Sequence, residues 1–154
     1  MMKSPKHYQK LVDLFEERNE IIAATPAKYF VPNGKAEEFI KLVGSNERFV
    51  NMFIGANGTG KTSVGVNIIA NICYGVQNEW FEHPLFQKWP YIKKGRIISD
   101  PTTLKEKIIP ELKKWFPHSD AKDIPDAPYE TAKEGANFER KFKTNTGWEI
   151  DLMS

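Results

Sequence analysis

The stretch GANGTGKTSVG, Gly55 to Gly65, constrains this chain more than any other. Gly55-x-x-x-x-Gly60-Lys61-Thr62 fits the phosphate-loop pattern G-x-x-x-x-G-K-S/T. Glycine tolerates positive φ, so successive backbone N–H groups can turn inward as a nest around a β-phosphate. A helix beginning at Lys61 would add the partial positive charge of its N-terminus. The Lys61 ammonium would sit beside the β- and γ-phosphates, and the Thr62 hydroxyl would ligate the magnesium ion that bridges them. The expected nucleotide-binding residues are therefore Gly55, Asn57, Gly58, Thr59, Gly60, Lys61, Thr62 and Ser63, with Ser63 adding little. Thr62 is the expected magnesium ligand, and Lys61 carries the expected catalytic role. ATP or ADP with Mg2+ is the implied cofactor set.

The motif requires a strand before it and a helix after it, and both flanks have the right texture. RFVNMFIG, Arg48 to Gly55, is a short apolar run expected to form a buried parallel strand. KTSVGVNIIANICY is apolar nearly all round, which predicts a buried helix ending at Gly75. Cys73, the single cysteine, falls inside that helix and reads as core packing rather than a reactive thiol.

Upstream, Ser4-Pro5 followed by Tyr8, Leu11, Phe15 and Ile22 predicts a helix from Pro5 to Ala24, with Lys10, Asp13, Glu16, Glu17 and Glu20 on its solvated faces. A second helix, Lys35 to Val43, is expected to be capped by Asn33 and closed by Gly44. Downstream, residues 76–94 read as an irregular insertion, and GRIISDP as a second strand. Thr103-x-x-Glu106 reads as a capping box before a helix carrying Leu104, Ile108, Leu112 and Trp115, which Pro110 should kink. DAKDIPDAPYETAKEG is expected to be a polar loop, and the last residues a β-hairpin turning at Asn145-Thr146-Gly147.

This order of elements predicts an α/β, three-layer P-loop NTPase fold, a mostly parallel sheet flanked by helices. It would be incomplete at the C-terminus and preceded by an N-terminal helical segment. The expected division is residues 1–34 as helix and extended segment and residues 35–154 as a P-loop ATPase domain truncated before an acidic magnesium-binding strand. Composition agrees with one folded domain: 154 residues, 40% hydrophobic and 27% charged. A net charge of +2 gives no strong footprint for nucleic acid or membrane. No apolar run approaches a membrane span, and the N-terminal residues MMKSPKHYQK lack the apolar core of a signal peptide, from which a soluble, cytosolic protein is expected.

A hydrolysing site also needs an acidic strand end to hold magnesium and a group to orient water. No four apolar residues followed by Asp-Glu occur. Asp100 and Asp151 read as ordinary strand-end carboxylates. His7, His83 and His118 lack a partner at metal-ligand spacing. Only Arg18, Arg48, Arg96 and Arg140 are arginines. Arg140, among Lys141 and Lys143, is the candidate for an arginine finger given to a neighbouring subunit, against the plainer reading of an exposed strand charge.

From Tyr29 to Ser154 the chain resembles the ATPase domain of the large terminase subunit of tailed bacteriophages. The resemblance is carried by YFVPNGKAEEFIKL before the phosphate loop, by the loop itself, by GRIISDPTTLKEKIIPELKKWFP, and by the hairpin ending GWEIDLMS. It implies the ATP-binding part of a viral DNA-packaging motor, coupling hydrolysis to translocation of double-stranded DNA into a prohead. The implied partners are DNA, the portal protein and the small terminase subunit. The implied assembly is a ring of identical subunits on the motor and a monomer in isolation, in the host cell cytoplasm with no membrane contact. Two positions depart from the family: Gly58 stands where many relatives carry an arginine, and no glutamine stands near Lys35-Ala36 to read adenine. Two other readings stay open: a small P-loop kinase, which would want a lid richer in arginine, and a nucleotide-binding module that does not hydrolyse.

Overall fold

The computed structural model describes residues 5–48, 50–56, 58–76, 78–118 and 128–154. Its helices are α1 (Pro5–Ala24), α2 (Gly34–Gly44), α3 (Lys61–Tyr74), α4 (Pro84–Gln87) and α5. α5 runs without a break through an α-turn (Pro101–Thr103), a π segment (Leu104–Ile108) and a final α piece (Ile109–Trp115). The strands are β1 (Lys94–Ile98), β2 (Tyr129–Ala132), β3 (Lys141–Thr144) and β4 (Glu149–Met153).

α3 sits between two apolar clusters. Val66, Ala70 and Cys73 enter one with Leu104, Leu112, Phe142 and Ile150, and Val64 and Ile68 enter the other with Phe30, Ile40, Phe81 and Phe86. Both ends of α3 follow from glycines in the left-handed region, Gly60 (φ 79°) and Gly75 (φ 62°), where a side chain would be strained. The Gly75 N–H satisfies the Asn71 carbonyl, and the Thr146 hydroxyl reaches the Cys73 carbonyl at 2.6 Å, tying the hairpin turn to the helix end. α2 begins as expected, with Asn33 accepting from the Ala36 N–H at 3.0 Å. A Cβ at Gly44 would lie 2.7 Å from atoms of both His83 and Phe86, so the close approach of α2 to α4 requires glycine there.

The sheet order is β1-β4-β3-β2, and only the β1–β4 pair is parallel. The expectation of a mostly parallel, three-layer P-loop sheet is therefore overturned. The first physical reason is the hairpin: Gly147 (φ 88°) closes a tight turn that obliges β3 and β4 to run antiparallel. The second is the chemistry of the two faces. Phe142, Ile150 and Leu152 point into the cluster shared with α3 and α5, while Lys141, Lys143, Glu149 and Asp151 alternate onto the other face. Lys141 there pairs with Glu149 at 3.0 Å and Asp151 at 3.5 Å. A face laid with charges suits water, as in antiparallel sheets with one wet side, and not a second helical layer.

Five further expectations are corrected. Residues 50–56 form no strand: Val50, Met52 and Ile54 are 72%, 75% and 81% exposed, while Phe53 stacks on Phe39 at 4.7 Å. Part of the expected polar loop is β2, because the Tyr129–Ala132 backbone pairs along β3 in spite of its polar side chains. The helix cap is Asp100 and not Thr103, since the Asp100 carboxylate accepts from the Thr103 N–H at 2.9 Å. Pro110, which has no N–H to give, leaves α5 continuous but follows the widened π turn. The irregular insertion contains α4, whose Leu85 and Phe86 are buried.

Ala27 and Phe30, next to α1, are buried in the two clusters, but α1 itself is exposed from residue 7 to residue 19. Among the described residues no helix is long and apolar enough to cross a membrane.

Candidate phosphate-binding cleft

Gly58 (φ 80°) and Gly60 (φ 79°) both hold conformations that an L side chain rarely adopts, and they turn the chain directly into the first turn of α3. A Cβ on Gly55 would come within 3.0 Å of the Thr59 hydroxyl, whose own bond runs to the Ala56 carbonyl at 2.9 Å. The Lys61 ammonium folds back over the loop and donates to the Gly55 and Ala56 carbonyls, each at 2.6 Å. The loop thus carries a lysine across its mouth with a helix N-terminus behind it. Asn57, one of the expected binding residues, lies outside the described residues.

Residues 58–63 form one wall of an open cleft of about 510 Å³, and α5 forms the other with Glu106, Lys107, Pro110 and Glu111. That size suits a small-molecule site. Thr62 lines the cleft at the first turn of α3, half-buried. Ser63 makes a structural contact: its hydroxyl donates to Glu111 Oε2 at 2.8 Å, and the Trp115 indole N–H donates to the same oxygen at 2.8 Å. Glu111 therefore straps the start of α3 to α5. Its other oxygen stands 3.8 Å from the Lys114 ammonium.

As lining residues of this cleft, Glu106, Lys107 and Glu111 escaped the sequence reading, which gave Glu106 only a capping role. They lie on the polar side of α5, and helical spacing marks such a side only as solvated. The signal that could have found them is tertiary, because α5 crosses the N-terminal end of α3. The carboxylates weighed from sequence are engaged elsewhere. Hydrogen bonds from the Thr103 side chain and backbone hold the Asp100 carboxyl below its usual range. Asp151 faces Lys141, whose hydrogen bonds to Glu134 and then Glu149 raise it above the usual lysine range.

Arg140 is fixed to its own chain. Its guanidinium donates to the Leu152 carbonyl at 3.3 Å and the Ser154 hydroxyl at 3.0 Å, and lies 4.7 Å from the centre of the Phe138 ring. It lines a separate open groove with Arg96, Glu134, Lys141 and Asp151, which shares no residue with the loop cleft. Cys73 is buried, and that burial pushes its thiol up to about 12, so it is protonated and inert near neutral pH. Among the described residues no cluster of three or more His, Cys, Asp or Glu side chains could hold a metal ion.

Compared with known proteins, the chain matches no protein-family model, no curated protein and no solved structure.

Proposed function

We propose that residues Gly55 to Thr62 bind the phosphates of a nucleoside triphosphate accompanied by Mg2+, with ATP as the physiological ligand. The observation that carries this reading is the pair of left-handed glycines, Gly58 and Gly60, leading into α3 beneath the Lys61 ammonium. Such a turn presents successive N–H groups and the positive end of a helix to an anion. On binding, Lys61 exchanges two neutral carbonyl partners for phosphate oxygens, a stronger, charge-assisted contact.

The far wall explains why a cation should accompany the anion. Glu106 lines the far wall as an exposed acid that repels a bare polyphosphate, whereas the Glu111 carboxylate is engaged by Ser63 and Trp115. A bound magnesium ion supplies charge compensation between the phosphates and Glu106, with the Thr62 hydroxyl as its protein ligand. Binding should accordingly weaken when divalent cations are removed.

The motor assignment rests on the resemblance of Tyr29 to Ser154 to the terminase ATPase domain. On that reading, ATP turnover would drive double-stranded DNA into a prohead in the host cytoplasm, with the portal protein and small terminase subunit as partners. Arg140 would serve a neighbouring subunit only after giving up its bonds to Leu152 and Ser154. The engagement of Asp100 and Asp151 away from the cleft favours, as a second reading, a module that binds nucleotide without hydrolysing it.

Titration calorimetry with Mg-ATP tests the binding claim. Lys61→Ala removes a charge-assisted contact of roughly 1.5–3 kcal/mol, so affinity should fall about ten-fold or more. Equal affinities for the two proteins would overturn the assignment.

A further inference from the structure

The wall of the cleft opposite the phosphate loop is built for charge. Among the described residues no aromatic ring lines the cleft to stack on a base, and apart from Pro110 the α5 side offers only Glu106, Lys107 and Glu111. Two cations line it. Lys61, on the loop, lies over the Gly55 and Ala56 carbonyls. Lys107, on α5, is exposed, and among the described residues it has neither a hydrogen bond nor an ion pair. Later lysines of the same helix are engaged, Lys113 by Glu139 and Lys114 by Glu111. Lys105 is as free as Lys107 but does not line the cleft.

The placement of Lys107 is held from both directions along α5. Residues 106, 107, 110 and 111 share one side of a helix, and Glu111 pins that side to the start of α3 through the Ser63 hydroxyl at 2.8 Å. Glu106 and Lys107 themselves sit on the π segment, Leu104–Ile108, whose widened turn is closed by the Ile109 N–H on the Leu104 carbonyl. π turns are rare, and they concentrate at functional sites. The N–H groups of the loop, the start of α3 and Lys61 serve the β-phosphate. A phosphate further along the chain meets the opposite wall, where Lys107 is the lining cation.

Resting on the reading of Gly55 to Thr62 as a triphosphate site, we propose that Lys107 binds the terminal phosphate, so that the cleft tells a nucleoside triphosphate from a diphosphate. Calorimetric titration of the chain with Mg-ATP and with Mg-ADP tests this, the readout being the ratio of the two affinities within each protein. Lys107→Gln should weaken Mg-ATP about ten-fold and leave Mg-ADP within about two-fold. Lys105→Gln removes the same charge from the same exposed helix without touching the cleft, and should shift neither nucleotide beyond about two-fold. Lys61→Ala should weaken both. Equal weakening of the two nucleotides by Lys107→Gln, weakening of neither, or an equal change of the ratio in Lys105→Gln would overturn the proposal and leave the loop reading in place. An unaltered chain that binds neither nucleotide, or a Lys61→Ala chain that binds both undiminished, would overturn that reading and this proposal with it.

Discussion

Residues 94–98, KGRII, pair in parallel with β4 at five registered positions, whereas residues 50–54, VNMFI, have no strand partner among the described residues. The two runs share the same alternation of exposed and half-buried side chains. What separates them is the backbone partner: β4 arrives beside residues 94–98 because the Gly147 turn delivers it there. Apolar texture therefore marks where a strand could form, and pairing decides whether it does. The consequence reaches the cleft. A phosphate loop that follows an unpaired segment must be held from its other flank, by the packing of α3 and by the Ser63–Glu111–Trp115 strap.

The largest effect expected from this contrast is on the paired side. Ile150, 1% exposed, lies on β4 between β1 and β3. Ile150→Ala should cost about 2–5 kcal/mol of stability in a denaturant titration. A loss below about 1 kcal/mol would mean that the sheet does not organise the core. On the unpaired side the effect should be small. Ile54 is 81% exposed, so Ile54→Ser should change stability by less than about 0.5 kcal/mol. A large destabilisation would show that residues 50–54 are packed in solution after all.

Much of the skeleton was legible because local chemistry announced it. Asn33 starts α2, Gly60 and Gly75 bound α3, and Gly147 closes the hairpin, each through an interaction within a few residues. What escaped depends on residues distant in sequence. β2 exists because β3 offers a ladder, so its polar side chains gave no alternation to read. The apolar reading of α3 missed that Asn67 and Asn71 are fully buried, each donating to the carbonyl four residues back, with Oδ1 left unpaired among the described residues. The apolar spacing of α1 predicted a helix correctly, but periodicity does not say whether a helix packs on its own domain. At the cleft, the glycine loop and Lys61 stood out from spacing alone, and Glu111 did not, because its role depends on where α5 crosses α3.

The claim that the loop is held from its helical flank is tested most directly by the affinity for Mg-ADP of two variants measured side by side. Glu111→Ala removes the acceptor shared by Ser63 and Trp115, a loss of about 1–2 kcal/mol in the interactions that place the start of α3. Its affinity should fall by roughly five- to thirty-fold. Ile54→Ser, on the unpaired flank, should bind within about two-fold of the unaltered protein. The reverse result, with Glu111→Ala binding as well as the unaltered chain and Ile54→Ser weakened about ten-fold, would contradict the account and assign control of the loop to the segment before it.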